Sequence, residues 1–190
     1  MSLNVLIMSV DMLKQRTGIH SNTDAKIVYP EIKAAEDLYI EPILGTALYD
    51  KIISDINVSG TPLGADYVTL VDRYILDTLQ NFTLSTLCLV ASFQIWNKGL
   101  LRKTGEDTEA PTMSDLVDIS NFYKNRAEIY ANRLKNYLRA VSTSSVLPEY
   151  LQPGSRCDTI LPANSTFTIP IYLGGDDTDN CFQLPLTPTV

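Results

Sequence analysis

Glu36, Asp37 and Glu41 are the carboxylates of this chain best placed to act together, because Asp37 and Glu41 stand four positions apart with Glu36 adjacent. On one helical face they form a pair in which one pKa is raised, the arrangement that acid–base chemistry uses. A di-metal carboxylate bundle needs Glu-x-x-His motifs, and the sequence has none. The three acids therefore read as a solvated face. His20 is the only histidine, which removes most His-based triads and every multi-histidine metal site unless a second subunit contributes. Its turn-like setting makes it a solvated loop residue. Asp176, Asp177 and Asp179 follow Gly174-Gly175 with the spacing of part of a calcium loop. The distal bidentate Glu and the flanking helices are missing, so a flexible acidic turn is expected, and acids after the glycines repel a phosphate. Cys88, Cys157 and Cys181 lack metal-ligand spacing, and their odd number and wide separation argue for reduced thiols rather than a disulfide framework. No catalytic, cofactor-binding or metal-binding constellation results, and the chain is expected not to be an enzyme.

Length and composition frame what must position these residues. With 190 residues and 45% apolar content, the chain can bury one sizeable core, so one domain with an appendage is expected. Val10 and the residues before it include no basic residue and no small-residue cleavage signal, so no secretory leader is expected. The longest apolar run, Leu84 to Trp96, is interrupted by Ser85, Thr86, Ser92 and Gln94. It is too short to cross about 30 Å of hydrocarbon and reads as a buried helix carrying Cys88 as an inert thiol. Net charge is −7, and only residues 97–139 are basic on balance, with 8 basic against 6 acidic side chains. That is not the footprint of a dedicated nucleic-acid binder.

The patterning is helical from Ser9 to Val141. Ser9, with Asp11 after it, caps a short helix ending at Gly18; Ser21 and Asp24 resemble a capping box for a second helix that turns Ile27, Ile32, Ala35, Leu38 and Tyr39 inward. Pro30 kinks that helix or displaces its start. Pro42 and Gly45 break the chain, and Thr46 caps a third helix bearing Leu48, Ile52, Ile53 and Ile56. A loop over 58–64 leads to Asp66 as the cap of a helical stretch from Tyr67 to about Lys103, apolar on nearly every side from Leu84 and so central to a bundle. After a polar loop, Thr112 or Ser114 caps the longest pattern: Leu116, Ile119, Tyr123, Ala127, Tyr130, Leu134, Tyr137 and Val141 form one stripe. Trp96, Tyr123, Tyr130 and Tyr137 read as packing rather than a ligand-stacking ladder.

Beyond Val141 the character changes, since residues 141–190 hold six of the ten prolines. The expected organisation is a helical domain over 1–141 and an extended Pro-rich arm over 142–190. Within the arm, Thr166 to Leu173 alternates Phe167, Ile169, Ile171 and Leu173 against Thr166, Thr168, Pro170 and Tyr172, which predicts an edge strand. Those four apolar residues are the candidate interface, for pairing with a sheet edge on a neighbouring subunit or a tail protein. The fold class expected is mainly α, a bundle of four to five helices with an extended C-terminal arm containing a short β segment.

The phrase Leu38-Tyr39-Ile40-Glu41-Pro42-Ile43-Leu44-Gly45-Thr46-Ala47-Leu48-Tyr49-Asp50-Lys51-Ile52 is the least generic part of the sequence. It resembles the corresponding phrase of head-tail connector (adaptor, or ring) proteins of tailed bacteriophages, most closely those of crAss-like and other Bacteroidetes phages. The order of helices around it extends the resemblance over about Val5 to Ala140. The resemblance implies a virion protein, assembled in the host cytoplasm, whose subunits form a ring templated by the portal protein. The ring continues the DNA channel, without tight DNA binding, and offers a platform to the next tail component. Neither cofactor nor membrane is implied. A helical scaffold or regulatory module that does not close a ring is the alternative, and a small enzyme using Asp37 and Glu41 across a subunit interface is the third reading.

Overall fold

The computed structural model describes residues 5–57, 64–96, 99–102, 112–152 and 159–162. The expected strand with Phe167, Ile169, Ile171 and Leu173, the acidic turn at Asp176 to Asp179, Cys157 and Cys181 lie outside these residues, as do the loops over 58–63 and 103–111. The fold is mainly α-helical. Helix α1 (Val10–Arg16) starts as expected, with the Ser9 hydroxyl accepting from the Met12 N–H at 3.2 Å, but it ends at Arg16, with Thr17 already extended, short of the expected Gly18. Helix α2 (Ala25–Ala35) is capped by Asp24, which accepts from the Lys26 N–H at 2.9 Å, and not by Ser21. The Ser21 and Thr23 carbonyls are instead held by the Lys14 ammonium, which ties the turn to α1. Pro30 sits inside α2, past its first turn, where one backbone bond is forgone and the helix nonetheless continues.

The chain does not break at Pro42. It passes from α2 through a π-turn (Glu36–Ile40) into α3 (Glu41–Leu44) and breaks only at Gly45. The π-turn bonds i to i+5, the Glu41 N–H reaching the Glu36 carbonyl, and this inserted residue rotates the buried face. Glu36 and Ile40 turn inward while Leu38, expected inside, is 66% exposed. Gly45, at φ +79°, has a backbone that side-chain-bearing residues rarely adopt. Its carbonyl accepts the first bond of α4 (Thr46–Asn57) from the Tyr49 N–H. Thr46 therefore does not cap that helix, and its hydroxyl bonds elsewhere. Leu48 and Ile52 are fully buried as expected, and Tyr49 joins them.

Helix α5 (Ala65–Leu70) has Gly64 at its N-cap, with Asp66 in the first turn rather than capping. A second π-turn (Val71–Ile75) leads without interruption into α6 (Leu76–Val90). The helix expected to run to Lys103 ends thirteen residues earlier. After a turn at Ala91–Ser92, Phe93–Trp96 (β1) pairs antiparallel with Gly99–Arg102 (β2), Phe93 opposite Arg102 and Trp96 opposite Gly99. Aromatic and β-branched residues followed by a glycine favour that hairpin over continued helix. Along α6, Thr78, Asn81, Thr83 and Ser85 are buried, each side chain donating to a carbonyl three or four residues back. Their polar groups are thereby satisfied in an otherwise apolar interior.

Helix α7 (Met113–Val141) opens with a capping box in which Thr112 and Asp115 each accept from the other's backbone. It packs along α6, where the Ser120 hydroxyl donates to the Ser85 carbonyl at 2.7 Å. Leu116, Ala127 and Leu134 are buried as expected, but the stripe also takes in Ala131 and Leu138 and leaves Ile119 at 45% exposure. Tyr137 lies at the margin, stacked on Tyr74 with centroids 4.1 Å apart. Of the segment expected to be an arm from Ser142, the described residues 142–152 and 159–162 lie against the bundle. Leu147 and Tyr150 are buried in the main core, Glu149 of α8 (Pro148–Leu151) accepts from the Tyr67 hydroxyl at 2.7 Å, and Pro162 lies on Gly45. Leu147 holds a left-handed backbone (φ 52°) before Pro148, and its burial fixes that turn.

Candidate functional site

Of the three acids in the distinctive phrase and beside it, the π-turn separates the roles. Glu36 is completely buried, with Oε1 accepting from the backbone N–H of Ile7 at 2.8 Å and of Met8 at 3.4 Å. The Tyr49 hydroxyl donates to its Oε2 at 3.3 Å. Burial pushes the Glu36 carboxyl up to about 7, against the opposing pull of those two backbone donors, the Lys33 ammonium and Tyr49. The Tyr49 phenol is driven up in turn by burial and by the negative charge of Glu36 and Asp37. Asp37 pairs with Lys33 across one helical turn. Glu41, half-buried and raised mainly by burial, accepts from the Thr46 hydroxyl at 3.4 Å. Asp37 and Glu41 thus have separate partners and share no proton, while Glu36, expected on a solvated face, is the interior clamp for the N-terminal segment. Glu36 is found by no local pattern, since Ile7, 29 residues away in sequence, supplies its shortest bond.

His20 is exposed, its Nδ1 accepting from the Asn22 N–H. The Cys88 thiol is half-buried and pushed up by that burial. Among the described residues no group of three or more His, Cys, Asp or Glu side chains could hold a metal ion. Nor is any of their helices long and apolar enough to cross a membrane.

What the fold builds instead is surface. By turning Leu38 outward, the π-turn makes one wall of an open groove of about 410 Å³. Leu38, Tyr39, Pro42 and Ile43 form that wall, Phe82 of α6 the floor, and Lys124, Glu128, Ala131, Asn132 and Lys135 of α7 the other side. Tyr39 stacks flat on Phe82, centroids 4.0 Å apart, which fixes the floor. On α7 there is a second apolar strip, Ile119, Phe122 and Ile129, exposed at 45%, 57% and 69%, with Arg126 over the Phe122 ring. At about 100° per residue, Phe122 and Ile129 lie roughly 100–160° around α7 from Lys124, Glu128 and Lys135. The groove and the strip therefore lie on different sides of one helix.

Residues 40–160 match a family described as a family of unknown function, DUF6712. The chain belongs to that family. Neither a curated protein nor a solved structure matches it. The matched region starts in the groove-lining phrase and ends at Ile160, whose N–H donates to the Thr46 hydroxyl at 2.9 Å while its carbonyl accepts from the Thr46 N–H at 3.1 Å. Its C-terminal end is thus bonded to Thr46, close to its start.

Proposed function

We propose that this member of a family of unknown function is a structural ring subunit, a head-tail connector that docks below a portal, continues the DNA channel and offers a platform to the next tail component. The observation that carries the reading is the pair of unlike apolar surfaces on two different sides of α7. A head-to-tail ring needs two different complementary faces on every subunit, because one heterologous contact repeats around the axis. The concave groove at Leu38 and Phe82 and the convex strip at Phe122 and Ile129 supply such a pair. Arg126 beside the strip and Glu128 on the groove rim are of opposite charge. The phrase that resembles phage connectors lines the groove, so the resemblance and the surface converge on the same residues. Net charge of −7 suits a channel through which DNA slides, since affinity for the duplex rests on phosphate neutralisation by basic side chains. The buried and internally bonded Glu36, with Asp37 held by Lys33, favours this reading over a carboxylate enzyme.

The test is negative-stain electron microscopy of the full chain alone and mixed with the portal protein of the same genome. The isolated chain should be monomeric or weakly associated, and closed rings should form on the portal. A stable symmetric dimer under every condition contradicts the proposal and favours a scaffold module.

A further inference from the structure

A smaller cavity of about 190 Å³ lies where the end of α1 meets α6 and α7. Unlike the groove, it is lined mainly by polar groups, two of them the guanidiniums of Arg16 and Arg126. Arg16 is fixed from α6: its Nη2 donates to the Asp77 carboxylate at 2.7 Å and its Nε to the Gln80 amide oxygen at 3.2 Å. Arg126 stands over the Phe122 ring at 5.8 Å and has no carboxylate partner among the described residues. Asp77 therefore balances one of the two cations. The other is left uncompensated in a chain whose net charge is −7.

The donors left over indicate the kind of ligand. Because the Gln80 oxygen accepts from Arg16, its amide NH₂ is turned to donate elsewhere. The Tyr123 hydroxyl, also in the lining, has no hydrogen-bond partner among the described residues. Thr17 and Asn81 give shape rather than free donors: the Thr17 hydroxyl donates to the Leu13 carbonyl and the Asn81 Nδ2 to the Asp77 carbonyl. With the Nη1 of Arg16 and the fork of Arg126, the free donors outnumber the about four lone-pair sites of a carboxylate. A phosphate-type anion has more oxygens to meet them, and guanidinium forks match its geometry.

We infer that this pocket binds a small tetrahedral oxyanion of the phosphate class between Arg16 and Arg126, with the Gln80 amide and the Tyr123 hydroxyl as further donors. A bound anion joins α1, α6 and α7 at one point, so the bundle gains stability as the anion concentration rises above its Kd. This site is independent of ring assembly.

Titration of the ¹⁵N-labelled full chain with inorganic phosphate at neutral pH and constant ionic strength, followed by NMR, tests it. Saturable shifts should appear at the Gly18 amide and the Gln80 side-chain NH₂, with a Kd in the millimolar range or tighter. Arg126→Gln, at an exposed position, should weaken binding about tenfold or more. A Cβ at Gly18 meets nothing within 4 Å, so Gly18→Leu should fill the pocket and abolish binding while melting like wild type in phosphate-free buffer. Should Gly18→Leu melt early, Arg126→Gln decides alone. Shifts that grow linearly without saturating overturn the inference, as does an unchanged affinity in Arg126→Gln. Acetate binding as tightly as phosphate overturns the assigned class of ligand.

Discussion

Glu36 shows how one side chain ties the start of the chain to the bundle: a carboxyl with no exposure holds the backbone of Ile7 and Met8 and is held by Tyr49. Its carboxyl titrates near 7 in the folded protein against an ordinary value of 4.5. The folded state therefore binds the proton more tightly than the unfolded one. This contribution to stability is complete below about pH 4.5 and is lost as pH rises through 7. A shift of that size corresponds to roughly 3 kcal/mol over the window. Glu36→Gln keeps an acceptor for the two N–H groups and a polar partner for Tyr49, so chemical denaturation across pH 4.5 to 8 should show its stability falling less than that of the wild type. An equal decline in the two proteins would locate the pH dependence elsewhere. Gly45 is the other residue that its surroundings dictate, by a positive φ and by Pro162 above it. Gly45→Ala should cost about 1–3 kcal/mol in a thermal melt, and hydrogen exchange at Ile160 should rise with it.

At the scale of the helix, α7 carries two apolar strips with different meanings. Leu134 is fully buried between α7 and its neighbours, whereas Phe122 is 57% exposed. Leu134→Asp should destabilise by about 3 kcal/mol or more, since it sets a charge in an apolar interior. Phe122→Glu should melt within about 0.5 kcal/mol of wild type, as surface changes do; a collapse of its melting temperature would make that strip core. The inward strip was legible in the sequence because helical periodicity marks it, and Thr112, one of the two caps expected, opens the helix. The shift of face at Leu38 was not, because a π-turn has no compositional mark and its extra residue rotates everything after it. The run from Leu84 to Trp96 was apolar enough for a helix throughout, and only the turn at Ala91–Ser92 divides it into α6 and the hairpin. The groove was beyond reach for the same reason as Glu36: its walls come from segments some eighty residues apart, brought together by packing.

For the molecule as a whole, the bundle does not end with α7. Leu147 and Tyr150 complete the core, and the bonds between Ile160 and Thr46 tie the end of the family unit close to its start. Ending the chain after Val141 should therefore remove at least about 3 kcal/mol of apolar burial and broaden or abolish the cooperative melt. Ending it after Pro162 should leave the melt within about 1 kcal/mol of wild type. If both truncations melt alike, the return of the chain to the bundle contributes nothing.

The two faces across α7 carry the functional account, and a mixing experiment addresses them together. Leu38→Glu spoils the groove and Phe122→Glu spoils the strip, both at exposed positions that the fold tolerates. In a head-to-tail ring each contact joins the groove of one copy to the strip of the next, so either variant alone lacks every productive contact. An equimolar mixture retains one, between the intact groove of one variant and the intact strip of the other. Electron microscopy and mass photometry on the portal should then show closed rings for wild type, bare portals for each variant alone, and isolated pairs for the mixture. Complete rings from either variant alone would contradict the account.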